Sequence, residues 1–230
     1  MSEPWVCIGH SHVTALARAG DANLDPINFW ETGDPWSRND ADVSFRADLA
    51  ERIAKGRLVL SLIGGSAHTV LGMVEHPRPF DFILPSAPNL PFDERRTWVP
   101  VDAVRAKLAE MADEYFGGIS ILSGTVTTRL VHLEPPPPIA DNDRIAPHVP
   151  WIFFPDQPKV VAPKWVRYKL WRLHSELIAE ACARLGITYV RVPNRALDED
   201  GFLQSCFDQD GAHANAAYGA LVLEDLRGAA

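Results

Sequence analysis

The 230-residue sequence predicts an α/β fold, a three-layer α/β/α arrangement around a doubly wound, mostly parallel sheet of five strands. Three observations predict it. Short apolar runs alternate with helical stretches along the chain, as parallel strands require, because each needs a crossover to return to the same edge. The run RLVLSLIGG, residues 57–65, is the most continuous apolar stretch, which suits a central strand covered on both faces. The runs end at glycine or proline, which punctuate strands and helices.

Taken in order, residues 4–9 form a strand that stops at Gly9, and residues 12–19 continue with helical character. PINFWE, residues 26–31, is a second strand, ended by Thr32-Gly33-Asp34-Pro35. Val43, Phe45, Leu49 and Ile53 are spaced for one face of a helix over 43–55, with Gly56 in the C′ position. The third strand follows at 57–65. Residues 76–98 are proline-rich without a usable period and read as a surface excursion. VDAVRAKLAEMADEYF, from Val101, is an amphipathic helix that gives way at Gly117-Gly118 to an apolar segment of unassigned state. Residues 129–133 are the fourth strand, ended by Pro135 to Pro138, which cannot donate to a ladder. A second irregular insertion, 139–162, carries Trp151, Phe153 and Phe154. A long helix over 164–185 stops at Gly186, and ITYVRVP, residues 187–193, is the fifth strand. The loop 194–213 and a helix over 214–226 close the order.

Length alone does not demand more than one domain, and 1–230 is expected to be one, with irregular insertions near 76–98 and 139–162. Hydrophobic residues at 47% and charged residues at 23% allow a packed core and argue against disorder. A formal charge of -8 disfavours nucleic acid and anionic membranes as partners, so the expected partner is a small molecule. No run reaches the roughly 18 to 20 apolar residues that span a bilayer, and the first residues do not read as a signal peptide, so a cytoplasmic location is expected. Cys7, Cys182 and Cys206 are widely spaced and read as small core residues rather than a disulfide framework. Lys164, Arg167, Lys169 and Arg172 read as a solvated helix face.

The residues able to carry chemistry lie at both ends of the chain. His10, Ser11 and His12 follow the first strand directly, where ligands bind in doubly wound sheets, outside the carboxyl ends of the strands. Asp210 and His213, three apart before the last helix, can pair so that the carboxylate holds the imidazole by its Nδ1 proton. A serine is a weak nucleophile without such a base in reach. Helix N-capping is the other reading of Ser11.

Gly9-His10-Ser11, the loop Gly64-Gly65-Ser66 and Asp210-x-x-His213, in this order, resemble the blocks of the SGNH (GDSL-like) hydrolase family. The resemblance runs along the whole chain, with the first and last motifs the more specific. It implies a flavodoxin-like sheet, an esterase activity through an acyl-enzyme, and a triad of Ser11, His213 and Asp210. It further implies an oxyanion hole from the Ser11 N–H, the Gly33 N–H and an asparagine side chain. Two positions depart from the family pattern: His10 stands where an aspartate is expected, and Ser66 stands where the asparagine is expected. The Ser66 hydroxyl can donate in its place, and His68 can if the loop is read two residues later. By analogy the acyl group is short, such as acetyl, on a carbohydrate or other polar alcohol.

His10, His12, His68 and Trp151 are candidates for substrate contact. Phe80, Phe82, Trp98 and the aromatic residues at 151–154 either line a pocket or pin the insertions. His10, His12, His68 and His213 as a metal cluster is the weaker reading, since no acidic ligand sits beside the first two, and neither a metal nor an organic cofactor is expected. Acyl transfer on the same fold, or a catalytically degraded module that binds a glycan or a protein, are the alternatives.

Overall fold

The computed structural model describes residues 4–39, 42–64, 66–154 and 156–228. Its centre is a five-stranded parallel sheet of β1 (Trp5–Gly9), β2 (Leu24–Asn28), β5 (Leu58–Leu62), β8 (Arg129–Leu133) and β9 (Thr188–Val190), in the order β2-β1-β5-β8-β9. Between β1 and β2 runs α1 (Val13–Arg18); α2 (Phe29–Thr32), β3 (Trp36–Arg38), β4 (Val43–Phe45) and α3 (Ala47–Ala54) precede β5. After β5 come α4 (Ala67–Gly72), β6 (Phe80–Asp81), β7 (Thr97–Trp98) and α5 (Val101–Thr125). Then α6 (Asn142–Ile145) and α7 (Lys164–Arg184) lie between β8 and β9, and α8 (Ala216–Gly228) follows the last strand.

The alternation of side chains along each strand divides the core. Cys7, Leu60 and Val131 face a cluster that includes Leu16 of α1 and Val222 of α8. Val6, Ile8 and Val59 face the other way, onto Leu49 of α3, Leu122 of α5 and Ile178 of α7. The sheet is thus covered on both faces, as the alternating pattern predicts. Strand order reverses at β1, which lies between β2 and β5, so the turns after β1 and β5 stand at the switch point where such sheets hold ligands.

Several elements differ from the sequence reading. The run over 26–31 splits: β2 ends at Asn28, whose side chain accepts from the Trp30 N–H at 3.1 Å and caps the short α2. Val43 and Phe45 are not helical. They belong to β4, paired antiparallel with β3, and the Phe45 ring packs 4.7 Å from that of Trp36. The helix from Val101 continues through Gly117 and Gly118 to Thr125, because Gly118 lets Trp36 and Ile63 pack against its backbone.

Arg167 and Lys169 are buried rather than solvated. Lys169, 1% exposed, pairs with Asp81, 2% exposed, below the 76–98 insertion. The Arg167 guanidinium donates to the Ile139 carbonyl at 2.7 Å and to Asn142 Oδ1 at 2.6 Å, holding the second insertion to α7. Burial lowers it to about 10. The reason is positional: α7 passes under both insertions. Phe82 is fully buried there, pinning the first insertion, whereas Trp98 remains exposed. Cys7 and Cys182 are core residues, but Cys206 is exposed. No described helix is long and apolar enough to cross a membrane.

Candidate active site

The site begins at Gly9, where β1 ends with φ +154°. A Cβ there would lie 2.4 Å from the Leu62 carbonyl oxygen, so only glycine lets β1 leave the sheet against the end of β5. His10, Ser11 and His12 form the turn that follows, and α1 begins at Val13, which is fully buried and anchors it. The N-cap position is His12 and it carries no side-chain cap bond, so the hydroxyl of Ser11 is not the cap its sequence position also allows.

The opposite wall is the loop before α8. Asp210 Oδ1 accepts from the backbone N–H of Ala212 at 3.1 Å and of His213 at 2.8 Å. Its two oxygens lie 3.0 and 2.9 Å from Nδ1 of the His213 ring. Burial raises the Asp210 carboxyl, but the hydrogen bond and charge of His213, with those two N–H groups, outweigh it and hold the group at about 2. An ionised carboxylate only accepts, so Nδ1 carries the proton and Nε2 of His213 is left as the acceptor. Asp208, the other carboxylate within reach in sequence, accepts from Arg144 at 3.1 Å and from the Gly211 N–H at 2.7 Å and shapes the loop instead.

Ser11, His12, Ser66, Asp210 and His213 line one cleft of about 330 Å³. Val70 and Met73, from α4 and its end, and Pro150 and Phe154, from the second insertion, give it an apolar wall, and His148 also lines it. The His12 ring lies 5.8 Å from that of His213, centroid to centroid. Residues about two hundred positions apart therefore share one cavity, because α1 and α8 pack side by side on the same face of the sheet.

The remaining candidates fall elsewhere. Gly33 and His10 line a neighbouring cleft of about 400 Å³ with Trp30, Trp36 and Tyr115, on the other side of the Ser11 turn. There the His10 ring is edge-on to Phe29 at 5.1 Å and to Tyr115 at 5.2 Å, and burial, partly opposed by the charge of Glu114, lowers its pKa. His68 is buried, with Nδ1 3.0 Å from Nδ1 of His174 and Nε2 3.2 Å from the Thr69 hydroxyl; it does not line the Ser11 cleft but shares an adjoining pocket with Met73, Ala212 and His213. Trp151 packs against the core beneath Lys159 and leaves the cleft wall to Pro150 and Phe154. Gly65 lies outside the described residues. Among the described residues no group of three or more His, Cys, Asp or Glu is placed to hold a metal ion.

Sequence reading missed Tyr115, whose hydroxyl lies 3.4 Å from Ser66 Oγ, and the wall residues Val70, Met73 and His148. Tyr115 lies in the helix read from Val101, but nothing in its local pattern marks it as a site residue, and the others gain their place only when the insertion folds over α4.

Among solved structures the chain is similar to a carbohydrate acetylesterase from Sinorhizobium meliloti, at 12% identity over 99% of this chain and all of that one, with a TM-score of 0.44. It is also similar to a GDSL-like lipase from Bacteroides thetaiotaomicron, at 14% identity over 99% of this chain and 89% of that one, TM-score 0.41. A phospholipase A1 from Streptomyces albidoflavus matches at 11% identity over 98% and 99% of the two chains, TM-score 0.46. No protein-family model and no curated protein matches the chain. All three TM-scores lie below 0.5, so what the molecule can do is read from its own side chains.

Proposed function

We propose that the chain is a serine esterase of the SGNH kind, cleaving a short acyl group from a polar alcohol such as a carbohydrate through an acyl-enzyme at Ser11. The observation that carries the reading is the imidazole of His213, held through Nδ1 by Asp210, in the same cleft as the Ser11 hydroxyl.

The chemistry follows from those groups. Ser11 Oγ attacks the ester carbonyl while its proton passes to Nε2 of His213, and Asp210 stabilises the imidazolium that results. The carbonyl oxygen becomes an oxyanion, for which the Ser11 N–H and the Ser66 hydroxyl are the donors in this cleft. Collapse breaks the bond to the alcohol, which leaves with the proton from His213. Water then attacks the acyl-Ser11 ester, giving its proton to His213, and the second collapse returns the serine and releases the carboxylic acid. An alcohol in place of that water turns the same intermediate to acyl transfer. The apolar wall of Val70, Met73 and Phe154 suits a small acyl group beside a polar leaving group.

The test uses p-nitrophenyl acetate and a fluorophosphonate probe. Wild type is expected to release p-nitrophenolate and to be labelled, and Ser11→Ala to do neither. A wild type that is inert to both overturns the proposal in favour of a binding module. Product analysis with candidate alcohols separates hydrolysis from transfer.

A further inference from the structure

A second cavity, of about 240 Å³, lies on the α1 and α8 face of the sheet, between α8 and the strands β8 and β9. Its wall is mostly aliphatic, with Leu133 of β8, Val190 of β9 and Val222 of α8 among the lining residues. Arg129 opens one end, at the start of β8, and Glu134 and His12 stand at the other. Arg129 and Glu134 are five positions apart on an extended strand, so the cavity is about 16 Å long. The aliphatic part of such a space lacks packing partners and suits apolar ligand groups.

Arg191 pairs with Glu134 at 2.7 Å, and Arg195 is shared between Asp225 at 2.5 Å and Glu224 at 3.3 Å, so the other charged groups at the rim already have partners. Arg129 is exposed and makes no ion pair among the described residues. A long aliphatic slot with one uncompensated guanidinium at its mouth matches a chain with a single anionic head, since guanidinium binds carboxylate by paired N–H donors.

We infer that this cavity binds an aliphatic monocarboxylate, its carboxylate on Arg129 and its chain lying along β8 toward His12. The cavity meets the Ser11 cleft at His12, while the carboxylate site on Arg129 lies at its far end and needs none of the steps of ester chemistry.

Calorimetric titration of the full chain with decanoate tests it. Decanoate is expected to bind once per chain, and butyrate at least tenfold more weakly, because each buried methylene adds to binding. Arg129→Ala, or replacing decanoate by 1-decanol, is expected to weaken binding about tenfold. Val222→Trp fills the slot and should abolish binding, with Val190→Phe as a second filling variant should the first not fold by circular dichroism. Ser11→Ala should bind decanoate as wild type does, whatever its effect on ester turnover, which keeps this inference apart from the esterase proposal. No binding by wild type, or undiminished binding by a folded filling variant, overturns the site; equal affinity for 1-decanol overturns the role of Arg129.

Discussion

His213 and His174 are the same side chain in opposite surroundings. His213 stands half-exposed on a loop with an ionised carboxylate on Nδ1. His174 is buried on α7, its Nδ1 against that of His68 and its Nε2 without a hydrogen-bond partner among the described residues. Burial lowers His174 to about 4 and His132, whose Nδ1 lies 3.0 Å from the Ser61 hydroxyl, to about 3; His68 is also lowered by burial, and further by its neighbours His174 and His12. An imidazole whose Nδ1 is held by a carboxylate keeps Nε2 as an acceptor, while one enclosed among other imidazoles is held neutral. Presence in the sequence does not separate the two; the partner does.

The comparison can be broken at either side. The largest effect is expected at the proposed nucleophile, where Ser11→Ala should lower kcat for p-nitrophenyl acetate by a factor on the order of a million. Asp210→Asn should keep the geometry but favour the wrong tautomer of His213, costing a factor of about ten thousand in kcat; a loss below tenfold would show that the carboxylate does not act on the ring as described. Ser66→Ala removes one donor of the proposed oxyanion hole and should cost about a hundredfold in kcat with KM little changed.

On the buried side the effect falls on stability. Unfolded histidines titrate near pH 6.5, whereas His174 and His132 stay neutral in the fold to about 4 and about 3. Between these limits the unfolded chain binds more protons, so stability falls as pH drops from 6.5, by up to about 1.4 kcal/mol per pH unit for each such histidine, and the loss is complete below the folded values. Urea midpoints for wild type and His174→Phe, taken from pH 7.5 to 5, should converge as acid is added. Parallel curves would remove the buried histidines from the account.

The strands that end at glycine or proline were legible because their punctuation is local: the fourth strand of the sequence reading and β8 have the same bounds. The order of Ser11, Asp210 and His213 along the chain was legible for a related reason, since a doubly wound sheet brings the first strand to the middle. What escaped depends on partners distant in sequence. The apolar spacing of Val43, Phe45 and Leu49 fits a helix, yet Trp36 across the β3–β4 pair makes a strand of the first two. Lys169 carries a charge that nothing nearby in sequence neutralises, and Asp81, 88 positions away, does so. The places of His68 and Trp151 were likewise decided by the packing of α4 against α7 and by the second insertion.

One contact sets when the site can exist. A Cβ on Gly219 of α8 would fall 2.0 Å from the carbonyl oxygen of Ala15 in α1, so the two helices touch backbone to backbone at that point. During synthesis the Ser11 turn emerges before the base proposed for it, which reaches it only when α8 has left the ribosome and docked. On the proposed mechanism a growing polypeptide is therefore chemically silent, and any cleavage or substitution that lifts α8, Gly219→Ala included, should abolish ester cleavage without touching a reacting atom.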